Sequence, residues 1–309
     1  MKYRKLGKFG LRISEIALGG WLTYGGSVEE TKAIPIVRTA VDKGINFIDI
    51  ADIYSKGRAE EIIGRAIKDI PRSSLVISSK LFWPMSKDVN DRGLSRKHIF
   101  ESVEKTLKRV GTDYLDIYYC HRFDPETELE ETIRAMDDLV HQGKVLYWGT
   151  SVWSGTQIEY AVEISDYYKA YKPAVEQPRY NMLDRHIEKD VIPTCARYGI
   201  GLTVWSPLAQ GLLTGKYNDS PPPGSRGTET QWLKDDMTDD NLEKCRKLQK
   251  IADDMGVKLS QLALAWILKH EEISCVITGA TNVEQLNENV IASDLELSDD
   301  IMKAIDKII

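Results

Sequence analysis

The feature that most constrains this chain is one pattern repeated along it: an amphipathic helical stretch, a glycine, then a short apolar run. Four junctions carry it plainly: VDKG before INFID, KRVG before TDYLDIYY, HQGK before VLYWGTS, and ARYG before IGLTVWS. Gly44, Gly111, Gly143 and Gly199 each stand where a helix closes in a left-handed residue, a conformation glycine adopts without a Cβ clash. Apolar runs predict eight strands, at 15–19, 45–49, 75–79, 114–119, 145–150, 174–177, 201–205 and 274–278. Helical periodicity fills 29–42, 59–68, 95–109, 128–142, 155–170, 186–197 and 259–269, with 283–291 after the last strand. Strands alternating with helices imply right-handed crossovers and a parallel sheet, and eight of them imply an α/β fold of the closed (β/α)8 TIM barrel type. Most of the runs are apolar on both faces, as parallel strands must be between a filled barrel and its outer helices.

Residues 3–14 alternate around Lys8-Phe9-Gly10 and predict a β-hairpin ahead of the barrel. Residues 206–240, which contain the turn PPPGSRG at 221–227, predict a long loop after strand 7. Extra C-terminal helices are expected at 240–255 and 299–308. No linker divides the 309 residues, so one barrel domain, 1–309, is expected.

A net charge of −6 offers no basic face for nucleic acid or anionic lipid, so neither partner is expected. Cys120, Cys195, Cys245 and Cys275 form no C-x-x-C pair, which argues against a disulfide framework or a zinc ribbon. The opening residues lack the apolar core of a signal peptide, and runs such as LALAWIL at 262–268 are too short to span a bilayer. A cytoplasmic location without membrane insertion is the expectation.

In such a barrel, chemistry gathers where strands meet the helices that follow them. The polar residues at those ends are Asp49, Lys80, His121, Ser151, Gln177, Ser206 and Gly279. Asp49, Lys80 and His121 end consecutive strands about 4.8 Å apart, so their heads can converge, and Tyr54 in the next connection can fold over them. Singly, Asp49 would serve equally well as a helix cap, Lys80 as a solvated strand end and His121 as a structural histidine; jointly they describe a site. A buried lysine needs a counter-ion, and Asp49 is one strand away. The Lys80 ammonium is expected to lower the Tyr54 pKa, so that the phenol protonates a substrate oxygen held by His121. No two histidines share metal-ligand spacing, and no metal is expected.

Proton delivery to an oxygen needs a matching event at carbon. No G-x-S-x-G elbow points to acyl transfer, whereas hydride from a nicotinamide would complete a carbonyl reduction. The G-x-G-x-x-G fingerprint is absent, so the cofactor would lie across the barrel mouth. Trp21, Tyr24, Phe82, Trp83 and Phe123 are expected to line a substrate pocket suited to an uncharged or hydrophobic carbonyl compound.

These residues belong to a set of ordered motifs: ALGGWLTYGG at 17–26, FIDIADIYSKGRAE at 47–60, SSK at 78–80, DYLDIYYCHRFDP at 113–125, WGTSVWS at 148–154, VEQPRYN at 175–181, WSPLAQGLLTGKY at 205–217 and ITGATNVEQLNEN at 277–289. Along nearly its whole length the chain resembles the aldo-keto reductases, most of all the potassium-channel β-subunit branch and its microbial relatives. The resemblance implies a catalytic tetrad of Asp49, Tyr54, Lys80 and His121, and NADP(H) as cofactor. It further implies that Ser151 and Gln177 bind the nicotinamide carboxamide, that Trp205 stacks on the ring, and that Gly20, Trp21 and Pro207 also touch the cofactor. Ser206, Leu208 and Gly211 would line the pyrophosphate; Lys216, Ser225 and Arg226 would meet the adenosine phosphate; Gly279, Thr281, Gln285, Glu288 and Asn289 would hold the adenosine end.

Two residues depart from the pattern. Position 152 is valine where members usually carry asparagine or arginine, and position 121 is histidine where the channel β-subunits have asparagine. The histidine favours a reductase of small aldehydes or ketones. The other implied role is an NADP(H)-binding regulatory subunit of a membrane or other partner protein, and a homo-oligomer is compatible with either.

Overall fold

The computed structural model describes residues 1–309 apart from 22, 23, 27 and 219–230. An antiparallel hairpin, β1 (Tyr3–Lys5) and β2 (Arg12–Ser14), precedes the barrel strands β3 (Ile16–Gly19), β4 (Phe47–Asp49), β5 (Val76–Leu81), β6 (Leu115–Cys120), β7 (Val145–Ser151), β8 (Val175–Gln177), β9 (Gly201–Val204) and β10 (Ile273–Thr278). The eight close in the order β10-β3-β4-β5-β6-β7-β8-β9 with every pairing parallel, a (β/α)8 TIM barrel.

Helices α1 (Glu30–Asp42), α2 (Arg58–Ile67), α3 (Arg96–Val110), α4 (Leu129–His141), α5 (Gly155–Tyr168) and α6 (Val191–Tyr198) follow β3 to β8 in turn. Between β9 and β10 come α7 (Gln231–Asp236), α8 (Asp239–Asp254) and α9 (Leu259–Leu268), and α10 (Val283–Val290) and α11 (Asp299–Asp306) end the chain. The four glycines at the helix–strand junctions all have left-handed φ, between 69° and 87°. The helix expected from 186 starts later. His186–Glu188 forms a 3-10 turn, and α6 begins where the Asp190 carboxylate accepts the Val191 N–H and Pro193 occupies the first turn, which needs no N–H. The long connection after β9 contains a 3-10 turn at Ala209–Thr214, while the expected PPPGSRG turn lies outside the described residues.

Strand side chains alternate, so one set from each strand faces the barrel interior and the other faces the helices. Ala17, Phe47, Val76, Ile117, Val175 and Cys275 fill the N-terminal half of the interior together with Leu6 and Ile13 of the hairpin. The hairpin therefore plugs that mouth. It is tied down where Arg4 bonds Glu15 and the carbonyls of His270 and Ile273, and where the Lys8 N–H meets the Gly199 carbonyl. With one end plugged by apolar side chains, polar interior positions are left to the other end.

Candidate active site

The alternation that places Phe47, Val76, Ile117 and Val175 inward also places Asp49, Ser78 and Lys80, Tyr119 and His121, and Gln177 inward, two or four residues further toward the C-terminal mouth. The Lys80 ammonium, fully buried, donates to Asp49 Oδ2 at 2.6 Å, to the Ile50 carbonyl at 2.8 Å and to the Tyr54 phenol oxygen at 3.3 Å. Those are its three protons, all committed. Asp49 Oδ1 accepts from Ser78 Oγ at 2.6 Å and from Gln177 Nε2 at 2.9 Å, so the counter-ion is held from both sides. Tyr54 meets His121 edge to face, with ring centroids 5.9 Å apart. The four residues of the expected tetrad stand together.

Tyr54 is brought in by a strained connection. Ser55 and Lys56 have φ of 49° and 52°, Gly57 follows at 88°, and α2 starts at Arg58. Val152, Ser206, Ala209 and Gln210 also have φ between 46° and 58°, in the connections after β7 and β9. Each such backbone costs on the order of 1–3 kcal/mol, and it persists where the surrounding structure over-determines it. Here these residues gather on the connections of one barrel mouth.

The electrostatics correct one expectation. Burial pushes the Tyr54 phenol above its ordinary pKa, although the Lys80 ammonium pulls the other way, so the group is a protonated donor rather than a depressed acid. Burial alone would strip Lys80 of its charge, but Asp49 and Tyr54 outweigh it and hold the ammonium above its usual value. Burial, then the nearby Lys80 and Arg122 charges, drive His121 well below its usual range, so its imidazole is neutral. Its Nδ1 is buried without a partner.

Among the residues expected to hold a cofactor, Ser151 is buried and donates to the Gln177 carbonyl at 2.9 Å. Trp205 and Trp21 meet edge to face at 6.2 Å, and the Gly20 N–H bonds the Asp49 carbonyl. Ser206 Oγ is buried with no partner, and Leu208 opens the 3-10 turn that follows Pro207. Gly211 has φ 109°, and a Cβ there would lie 3.2 Å from the Lys216 ammonium, so the backbone and that cation are adjacent. Ser225 and Arg226 lie outside the described residues. Gly279 leads into α10, where Gln285 Oε1 accepts from both the Thr281 N–H and hydroxyl; Glu288 pairs with Lys258, and Asn289 is buried.

Of the expected aromatic lining, Phe82 and Trp83 form an edge-to-face pair and Trp83 in turn faces His121. Phe123 packs on the buried Trp153 at 5.0 Å. Tyr24, expected among this lining, is 0 % exposed and packs in the core cluster instead, where burial of its apolar ring outweighs exposure at the mouth. Sequence reasoning passed over Ser78, which the SSK motif at strand spacing would have flagged, and Arg122, hidden behind its neighbour His121. It also read Gln177 only as a cofactor ligand. Among the described residues no His/Cys/Asp/Glu cluster could hold a metal, and no helix is long and apolar enough to cross a membrane.

The chain is thus of the class of (β/α)8 barrels plugged at one mouth, with a buried lysine bridging a carboxylate and a phenol at the other. The comparisons name the class more narrowly. Residues 15–309 match the Aldo/keto reductase family. The chain is 45 % identical over 302 residues to a probable voltage-gated potassium channel subunit beta of Arabidopsis thaliana, covering 96 % of this chain and 92 % of that one. A protein of the same description from Oryza sativa subsp. japonica is 44 % identical over the same shares of both chains. A putative voltage-gated potassium channel subunit beta of Schizosaccharomyces pombe is 45 % identical over 321 residues, 99 % of this chain and 93 % of that one. The protein belongs to the aldo/keto reductase family.

Proposed function

We propose that the protein is an NADPH-dependent reductase of aldehydes or ketones with Tyr54 as proton donor. The observation that carries this reading is the disposition of the Lys80 protons. One of the three is donated to the phenol oxygen, which leaves the Tyr54 O–H free to point at a substrate. A carbonyl oxygen lodged between Tyr54 and the neutral His121 imidazole would be polarised by both, and the phenol would pass its proton as negative charge develops there. Lys80 remains charged throughout and steadies the phenolate left behind, while Asp49, Ser78 and Gln177 fix the ammonium in place.

The residues present fit a dinucleotide. The unpartnered buried Ser206 hydroxyl is a donor of the kind that meets a pyrophosphate, and the left-handed backbone at Ser206 and at Ala209, Gln210 and Gly211 folds that connection back on itself beside it. The adjacent Lys216, and Arg226 from the same connection, would supply cations for a 2′-phosphate. Gly20, Trp21, Ser151, Gln177 and Trp205 would hold the nicotinamide end, and Gly279 to Asn289 the adenosine end. When bound, the cofactor supplies the hydride that the carbonyl carbon accepts. Incubation with NADPH and a panel of aldehydes, followed by nicotinamide absorbance, tests the reading; cofactor consumption with none of them would reject it.

The relatives described as channel beta subunits favour a second reading, a regulatory subunit that binds the cofactor while assembled on a membrane protein. Against it stands His121, whose neutral ring fits proton-transfer chemistry. Tight cofactor retention without turnover, with a co-purifying channel protein, would decide for the regulatory role.

A further inference from the structure

Beside Tyr54 and His121 stands a cation that carbonyl reduction itself does not require. Arg122 follows His121 at the end of β6 and is partly buried. One of its five N–H groups bonds the His121 carbonyl, and its guanidinium carbon lies 5.6 Å from the centroid of the Trp83 ring. Its charge reaches into the site, since it pulls down the pKa of both His121 and Tyr54.

The other partly buried arginines among the described residues all have carboxylate partners. Arg4 pairs with Glu15, Arg72 with Asp116, Arg109 with Glu60, Arg179 with Asp236 and Arg185 with Glu188. Arg122 has none among the described residues. The one carboxylate whose charge bears on it, Glu176, is occupied elsewhere, accepting from Thr150 Oγ1 at 2.6 Å and from the Trp153 N–H at 3.3 Å. A half-buried guanidinium without a counter-ion loses hydration that one carbonyl and one aromatic face return only in part, and an anion arriving with the ligand would return the rest. The guanidinium carbon lies over Trp83, whose ring faces His121 at 6.4 Å, and His121 in turn meets Tyr54, so the cation adjoins the two groups that would hold the carbonyl oxygen.

We propose that Arg122 binds a carboxylate of the substrate, so that the site selects carbonyl compounds carrying an acid group a few atoms from the reacting carbon. This rests on the reductase reading, and it departs from the uncharged substrate that the aromatic lining suggests. The planar fork of the guanidinium matches a carboxylate in two parallel hydrogen bonds, and Trp83 would cover the apolar spacer between acid and carbonyl.

Two measurements test it separately. The binding arm titrates the NADP-loaded protein with benzoate and with benzamide, followed by tryptophan fluorescence, for the unmodified protein, Arg122→Gln and Arg122→Lys. Benzoate should bind about 10–100-fold more tightly than benzamide, a preference that Arg122→Gln abolishes and Arg122→Lys partly keeps, weakening as salt rises. Equal affinities in the unmodified protein, or a benzoate preference that survives Arg122→Gln, would overturn the assignment whether or not any aldehyde is turned over. The kinetic arm compares kcat/KM for 4-carboxybenzaldehyde and 4-formylbenzamide, with the ratio expected to favour the acid by about tenfold or more and to fall to about one in Arg122→Gln. Consumption of neither aldehyde would count against the reductase reading and leave the binding arm to decide on Arg122.

Discussion

The Gln177 side-chain amide donates to Asp49 Oδ1 at 2.9 Å, a bond between strands β8 and β4 that stand opposite each other in the barrel order. Together with Ser78 it fills one carboxylate oxygen of Asp49 and leaves the other to Lys80. The charge at the centre of the site is thus set by residues drawn from across the whole barrel.

Removing that charge should be costly. Asp49→Asn leaves a buried ammonium without its counter-ion and should destabilise the fold by about 3–5 kcal/mol in urea titrations. Because Lys80 holds its proton more tightly folded than unfolded, the pair's contribution is fully present below the unfolded lysine value of about 10.4 and is lost only as pH rises through the folded one. The stability of the unmodified protein should therefore not respond to Lys80 between about pH 6 and pH 9, whereas Asp49→Asn, in which burial acts on Lys80 without its counter-ion, should recover part of its loss as pH rises; a difference between the two proteins that stays constant up to about pH 10 would show that Lys80 is not the partner.

A second buried carboxylate works against stability. Burial, followed by the Glu60 charge, pushes Asp52 from 3.8 up to about 7, and among the described residues its one side-chain hydrogen bond is from Ser102 Oγ at 3.1 Å. The folded state holds this proton between pH about 4 and 7 while the unfolded chain has lost it, so stability falls as pH rises through that window. Asp52→Asn should be more stable than the unmodified protein at pH 8 by a margin on the order of 2 kcal/mol larger than at pH 5. An equal margin at both pH values would contradict a neutral Asp52.

Val152 has φ 58° and is 40 % exposed, a left-handed backbone on a β-branched residue. Asparagine tolerates that conformation far better. Val152→Asn should raise stability by about 1 kcal/mol, visible as a Tm increase of a few degrees. An unchanged or lower Tm would mean that the valine side chain contributes packing that outweighs the strain.

For the cofactor, Lys216→Ala and Arg226→Ala should each weaken NADPH about tenfold or more while changing NADH little, since only NADPH carries the 2′-phosphate. Equal losses for both nucleotides, measured by fluorescence titration, would remove these residues from the phosphate site.

The barrel was legible because its signals are local. Gly44, Gly111, Gly143 and Gly199 end helices through their own backbone freedom, and apolar runs such as 114–119 read as buried strands wherever they sit in the chain. The tetrad was legible because strand ends converge in any such barrel. What stayed hidden depends on where side chains are held relative to solvent. The net pKa of Tyr54 turns on burial exceeding the pull of Lys80, and Tyr24 is a core residue, 0 % exposed, where its sequence neighbours suggest pocket lining. The solitary charge of Arg122 emerges only by contrast with paired arginines whose partners lie far away in sequence, as Arg72 and Asp116 do.

The most direct test of the account is the single-turnover rate of nicotinamide absorbance decay when the NADPH-loaded protein is mixed with a saturating aldehyde, compared with Tyr54→Phe. If the phenol gives the proton, the variant loses about 10²–10⁴-fold in that rate while its NADPH affinity stays within about threefold. A Tyr54→Phe rate within about tenfold of the unmodified protein would contradict the assignment of Tyr54 as the proton donor.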